Sequence, residues 1–464
     1  MICSDFEGEK MKVNCSGLLV LASAVTLLGT DCQASTKKWK SIDLKNDLIE
    51  VQAVPEIGGR IIQYKLGDYG FFWVNDQLAD KPIPASRLGP NGEWLNYGGD
   101  KLWPAPQGRD NDKQWPGPPD PVLDGGPYTA EVIKENDRPV AILMTSQKDK
   151  RSGIQFSRVF KIFDNTTRVS IEAAMKNIDT KPRRWGIWAV TQFDTSNRHG
   201  EGYNKNYWTY CPINPNSMFH KGYNVMLGLA SHLSYKPDHE NEMMRVHYDY
   251  RVGKIGMDSS AGWLATLDAT DGFCFIHRFT YESGKPYPDN ASVEFWLNGQ
   301  GELVAWGREV IKMPESLKDT PYLLESEVLS PYAALDPGET YTFGYDWYAA
   351  KVPVGSAVVA CSDLGITCKP LSAKLCNGKL TLVGHFGVFY KGNCHLVFLD
   401  ENGKEVKKAP HELPVTPLRA LVLSQTKLAK DIDVPENADK LAIYVYDTKG
   451  QFLGELAKTK ILRN

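Results

Sequence analysis

Short runs of alternating apolar and polar residues, separated by turns, recur along the whole chain. No stretch holds a 3.6-residue apolar period over three turns. Successive side chains of a strand point to opposite faces, so these runs read as strands rather than helices. The clearest are Leu48–Val54, Ile154–Phe163, Arg168–Ala173, Phe273–Phe279 and Ala291–Trp296. Many short strands with turn chemistry supplied by 40 glycines and 28 prolines predict an all-β sandwich or barrel. The span 38–351 is too long for one immunoglobulin-like domain of roughly 100 residues, so a large two-sheet sandwich is expected there. A boundary is expected near Ala349–Gly355. Residues 352–464, with turns at Glu401–Lys404 and Asp447–Gly450, suit a small immunoglobulin-like sandwich. No internal repeat of 20–50 residues is present, which disfavours solenoids and propellers.

The first 34 residues read as an address. Lys10 and Lys12 precede the apolar run Gly17–Leu28, and Cys32-Gln33-Ala34 gives a small-residue exit. Basic, apolar, then small is the order of a secretory signal peptide, and the run is too short to span a bilayer. Met11 suits a start better than the acidic decapeptide before it. Cleavage after Ala34 is expected, giving an exported protein, periplasmic or secreted. Cys32 is a weaker lipidation site because Thr30-Asp31 fits a lipobox poorly. Six cysteines follow: Cys211, Cys274, Cys361, Cys368, Cys376 and Cys394. Export permits disulfides, with Cys361–Cys368 able to close a small loop, while buried free thiols are the alternative.

A net charge of −3 with no basic block argues against a nucleic-acid surface. No P-loop, dinucleotide fingerprint, Gly-x-Ser-x-Gly or His-Glu-x-x-His pattern occurs, so no cofactor or metal is expected. Aromatic residues are abundant, with 12 Trp, 21 Tyr and 17 Phe, and three of the Trp lie in the irregular stretch Leu88–Tyr128. There Asn96, Asp100, Lys101 and Gln107 stand beside Trp94, Trp103 and Trp115. Indole faces with polar neighbours suit a pyranose, whose C–H face stacks while its hydroxyls hydrogen-bond. The alternative is a loop pinned to the core by its own tryptophans.

These residues carry a resemblance. Pro55-Glu56-Ile57-Gly58-Gly59, leading into Arg60–Tyr64 and Phe71–Asn75, resembles the opening hairpins of the galactose mutarotase-like (aldose 1-epimerase) superfamily. Gly98-Gly99-Asp100-Lys101-Leu102-Trp103-Pro104 is similar to its Gly-Gly-x-x-x-Trp-Pro segment. Lys176–Asp179 with Trp188–Gln192, and Tyr322–Glu327 with Leu335–Glu339, resemble its asparagine turn and glutamate strand. The pieces fall in family order across roughly residues 40–350. The resemblance implies a β-supersandwich that recognises a mono- or oligosaccharide.

It also implies proton transfer on a sugar, with a carboxylate base and an acid, usually histidine. Glu325 matches the base, and Glu327 shares its face. On the strand Arg184–Asp194 the expected histidine is absent. Alternation puts Arg184, Trp188 and Gln192 on one face, taken as the cleft face. His277 alternates with Phe275 and Phe279, as either a core histidine or a cleft residue. Three functions remain open: an epimerase-type isomerase using Glu325, a non-catalytic saccharide-binding protein, and a polysaccharide lyase or hydrolase on the same scaffold. In the last, Lys101 and Arg184 would neutralise a uronate.

Overall fold

A computed structural model describes residues 39–463 apart from 80, 230, 306–308 and 429–431. The proposed signal segment and Cys32 lie outside the described residues. Among these residues two large antiparallel sheets face one another. The first has thirteen strands, and its middle runs in the order Arg60–Leu66, Asp100–Ala105, Arg183–Asp194, Leu323–Leu329, Val293–Leu297, Gly253–Met257. The second has ten, centred on Trp263–Asp268, Phe273–Phe279, Thr340–Lys351, Val169–Asn177 and Ile154–Ile162. No described helix is long and apolar enough to cross a membrane.

Alternation explains how the sheets meet. In Ile154–Ile162 every second residue is buried, Ile154, Phe156, Arg158, Phe160 and Ile162, while those between are half-exposed. The inward set meets an aromatic cluster. Tyr64 lies edge-on to Phe275 at 5.2 Å, and Phe72 to Phe193 at 5.7 Å and Trp347 at 5.6 Å. Each such pair contributes roughly 0.5–1.5 kcal/mol beyond its buried area. Arg183–Asp194 is buried almost end to end, because both of its faces are covered.

A charged group interrupts the apolar layer between the sheets. Arg158 bonds Asp100 Oδ1 at 2.6 Å and the Gly59 carbonyl at 2.8 Å. Thr191 donates to Asp100 Oδ2 at 2.8 Å, so its oxygen accepts from His277 Nε2 at 3.0 Å. His277 is therefore the neutral Nε2–H tautomer, and its buried Nδ1 has no partner. Burial pushes its pKa down to about 3. Asp100 and His277 are thus corrected from the cleft to the sandwich interior. Asp100 and Lys101 are neighbours on a strand, so only one of them can face the site.

The buried histidine has a measurable consequence. Between pH 6.5 and its folded value the unfolded chain binds the proton and the folded chain does not, so stability falls as pH falls. In His277→Leu, urea denaturation over pH 7 to 4 is expected to show a shallower acid loss, by up to about 1.4 kcal/mol per pH unit. Parallel curves for the two proteins would place the histidine's charge change elsewhere.

Ala360–Arg463 forms an eight-stranded sheet folded around its own core of Phe386, Leu396, Phe398, Ile443 and Val445. It covers the outer face of the ten-stranded sheet, where Cys274, Ile276, Tyr348 and Ala350 pack with Ile366 and Phe389. Tyr348 stacks on Phe389 at 4.6 Å, and Arg278 pairs with Asp363 at 2.8 Å. That cover is why Phe273–Phe279 is buried on both faces. All six cysteines are free thiols, which corrects the Cys361–Cys368 bridge to the thiol alternative. Cys361 stands opposite Ile366 in the ladder, so Cys368 lies on a diagonal rather than facing it. Burial pushes the Cys211 and Cys368 thiols up to about 12.

Candidate functional site

The site is a product of strand register. Trp188 pairs with Trp103 and Val190 with Lys101 on one side of the Arg183–Asp194 strand. On its other side Gln192 pairs with Glu325, and Val190 with Glu327. Next in the sheet, Trp296 pairs with Glu325 and Glu294 with Glu327, and Lys254 in turn pairs with Trp296. Paired residues point to the same face. Lys101, Trp103, Trp188, Gln192, Glu325, Glu327, Glu294, Trp296 and Lys254 therefore share the face turned away from the ten-stranded sheet. The opposite face carries Thr191 and Ser326, the latter bonded to Thr266 across the sandwich at 2.8 Å.

Two ionic groups lie side by side on this face. In the first, Glu325 Oε1 accepts from Gln192 Nε2 at 2.6 Å and from the Lys101 ammonium at 3.3 Å. Lys101 also lies over the Trp103 ring at 4.8 Å. Burial lowers its pKa, with Glu325 opposing. In the second, Lys254 bridges Glu294 at 2.7 Å and Glu327 at 2.9 Å, 4.3 Å above the Trp188 ring. Trp188 Nε1 donates to Glu327 Oε2 at 2.7 Å. Burial pulls the Lys254 ammonium down, but Glu294 and Glu327 outweigh it and hold it above its ordinary value. Glu327 is pushed up to about 8, first by burial and then by the charges of Glu294 and Glu325 against Lys254.

The two carboxylates of the glutamate strand differ in access. The Glu325 side chain is 10% exposed and that of Glu327 is 0%. Trp296 stands beside Glu325 in the ladder and belongs to an apolar cluster against which the half-buried Trp73 packs. Trp73 is held to the site by its backbone N–H, which donates to the Gln192 carbonyl at 2.9 Å. The exposed edge of Glu325 thus has an amide beside it and the half-buried Trp73 indole nearby, while Trp296 is buried. Gln192 Oε1 is buried without a partner.

The tryptophan loop is pinned by its own side chains. Asp124 accepts from Trp94 Nε1 at 2.6 Å, Trp103 Nε1 at 2.9 Å and Arg60 at 2.7 Å. Asp120 accepts from Trp115 Nε1 at 2.9 Å and Arg151 at 2.5 Å. Trp103 packs on Trp115 at 5.1 Å and on Trp188 at 5.2 Å. At 4% and 3% exposure, Trp103 and Trp188 cover the sheet and leave little ring face for a ligand. Gly98 and Gly99 feed this strand with φ of +92° and +71°. A Cβ on either would meet the Trp73 or Ile61 carbonyl oxygen at 2.2 or 2.4 Å.

Of the residues singled out from sequence, Lys101, Trp103, Trp188, Gln192, Glu325 and Glu327 come together. Asn96 instead holds the turn before Gly98, whose N–H it accepts at 3.2 Å. Gln107 lies in the loop that bridges to Trp115. Arg184 is exposed and stacks on Tyr332 at 3.5 Å. Eight residues of strand put it roughly 26 Å from Gln192. The sequence reading missed Trp73, Lys254, Glu294 and Trp296. A signal for the last two was available: in Val293–Leu297, Glu294 and Trp296 alternate with three aliphatic or aromatic core residues. Lys254, a single charge between Gly253 and Ile255, was the other.

Comparison with known proteins gives distant structural likenesses. A galactose mutarotase-like protein from Lactobacillus casei is 9% identical, with a TM-score of 0.42, over 67% of this chain and 100% of that one. One from Clostridium acetobutylicum is 10% identical, with a TM-score of 0.41, over 68% and 96%. A TPR-domain containing protein from Parabacteroides distasonis is 12% identical, with a TM-score of 0.43, over 70% of this chain, which spans 50% of that protein's length. The likeness is one of fold. No curated protein matches the sequence. Residues 39–349 match the family model DUF4380, a domain of unknown function, and the chain belongs to that family.

Proposed function

We propose that this member of the DUF4380 family is an exported saccharide-recognising protein that takes a sugar ring at the opening over Glu325, with Glu325 as the base of an epimerase-type proton transfer. One observation carries the reading. Glu325 is the carboxylate of its strand that reaches the surface, and it is oriented by Lys101 and Gln192 beside Trp296. A carboxylate so held accepts from a sugar hydroxyl, and the half-buried indole of Trp73 receives the C–H face of the ring. The basic, apolar, small order of residues 10–34 supports export.

A uronate-cleaving lyase needs a cation free to neutralise the substrate carboxylate. Among the described residues Lys101 is buried against Glu325, Lys254 lies between two carboxylates, and Arg184 is far along the strand. The charge of this face therefore favours a hydroxyl-rich ligand over a carboxylated one.

Saturation-exchange NMR with a panel of hexoses, deoxysugars and uronic acids tests the reading. Line broadening and accelerated anomer exchange are expected with neutral sugars and not with uronic acids. In Glu325→Gln the exchange is expected to fall by about 100-fold, the size of a lost general base. Broadening and exchange unchanged in that variant would put the sugar elsewhere.

A further inference from the structure

Glu294 and Glu327 stand directly opposite one another on neighbouring antiparallel strands, and both are buried. Oε2 of each accepts from the Lys254 ammonium, and Trp188 adds a second bond to Oε2 of Glu327. One oxygen of each carboxyl is thereby satisfied. The other, Oε1 in both residues, is out of solvent and has no hydrogen-bond partner.

Two carboxylates cannot satisfy one another, since an ionised carboxylate only accepts. A proton on either turns one acceptor into a donor, and the register already places the two groups face to face. The surrounding charges agree. Lys254 supplies one positive charge; Asp289, at the edge of the cluster, and Glu325, two residues along the strand, add negative ones. Lys101 is matched by Glu325 and Trp188 is neutral. With one proton held between them, Glu294, Glu327 and Lys254 are together neutral. With none they carry a buried negative charge, which a low-dielectric interior disfavours.

We propose that Glu294 and Glu327 share one proton at neutral pH and form the acid reserve of the site whose base is Glu325. The second half of this proposal rests on the saccharide reading; the first does not. The reserve stands where the strand Arg183–Asp194 carries Trp188 and Gln192 and no histidine. Lys254, bonded to both carboxyls and 8% exposed, is the least buried member of the group. When Glu325 takes a proton from a sugar hydroxyl, one from the reserve is given to the sugar, and the return step restores both.

Infrared spectroscopy of the full chain, with glutamate carboxyls isotopically labelled, tests the shared proton without any sugar. A protonated-carboxyl carbonyl band is expected at pH 7, fading as the pH is taken past about 8. Glu327→Gln is expected to remove it, while Glu325→Gln and Asp289→Asn retain it. Absence of the band from the wild-type protein at pH 7, or its survival in Glu327→Gln, would overturn the proposal. The wild-type titration alone decides if a variant does not fold. For the reserve, anomer exchange in Glu327→Gln is expected to drop at least tenfold with sugar broadening retained, and unchanged exchange would overturn that half. Failure of the saccharide reading shows as missing broadening in the wild type, a separate result from a missing band.

Discussion

Asp124→Ala is expected to lose about 3–5 kcal/mol of folding stability, the range for removing one partner of a buried ion pair. Asp124 and Arg60 are both essentially inaccessible to solvent, and their 2.7 Å contact is the guanidinium's anionic partner. Its other bond is to the neutral Gly98 carbonyl at 3.1 Å, and its Nε has no partner. The same carboxylate receives the indole N–H groups of Trp94 and Trp103. Alanine would leave one buried charge, one buried donor and one half-buried donor without acceptors, each with its own desolvation cost. Asp124→Asn keeps an acceptor and the side-chain volume, so an intermediate loss is expected. Urea denaturation measures both, and a red shift of tryptophan emission should accompany the alanine variant as the loop loosens. A loss below about 1 kcal/mol would mean that the pair behaves as a surface ion pair and that the loop is held by packing alone.

That loop shows how far the sequence could be read. Its three tryptophans with interspersed polar residues are the composition of a sugar platform and equally that of a pinned loop. What separates the two is whether each indole N–H has a protein acceptor. Asp120 and Asp124 supply those acceptors from 5 to 30 residues away along the chain, a distance no local pattern encodes. Strand parity was legible: Glu325 with Glu327, and Trp188 with Gln192, do share faces. Asp100 is expected as a site residue beside Lys101 because the stretch reads as an irregular loop, whereas Asp100–Ala105 is a strand and parity sends the two to opposite faces. His277 obeyed its aromatic neighbours and went to the core. Lys254 and Glu294 complete the site through ladders joining residues 33 and 42 positions apart, and nothing in a single sequence fixes which strands become neighbours.

Lys254→Met tests the second ionic group, and its outcome should depend on pH with a definite sign. In the wild-type protein the folded pKa of Glu327 lies near 8, above the unfolded carboxyl value. The folded state then holds a proton that the unfolded state has lost, so stability falls as pH rises across that interval and levels off above it. Lys254 limits this loss because its charge favours the ionised forms of both Glu294 and Glu327. Methionine keeps much of the side-chain volume and removes the charge. Both carboxyls then stay protonated to higher pH, and the folded chain holds up to two protons that the unfolded chain releases. The slope of stability against pH doubles towards about 2.7 kcal/mol per unit, twice the one-proton value. Near pH 5 the paired acids remain neutral and the variant should lie close to the wild type. By pH 8 the deficit should reach about 3–5 kcal/mol, the one-proton slope summed from the unfolded carboxyl value upward. Adding Glu327→Gln to Lys254→Met removes one of the two titrating groups and lets the new amide donate to Glu294, so the double variant should regain stability at pH 8 and little at pH 5. A deficit independent of pH in the single variant would instead assign Lys254 a packing role over the Trp188 ring, with Glu294 and Glu327 ionised in the folded protein throughout.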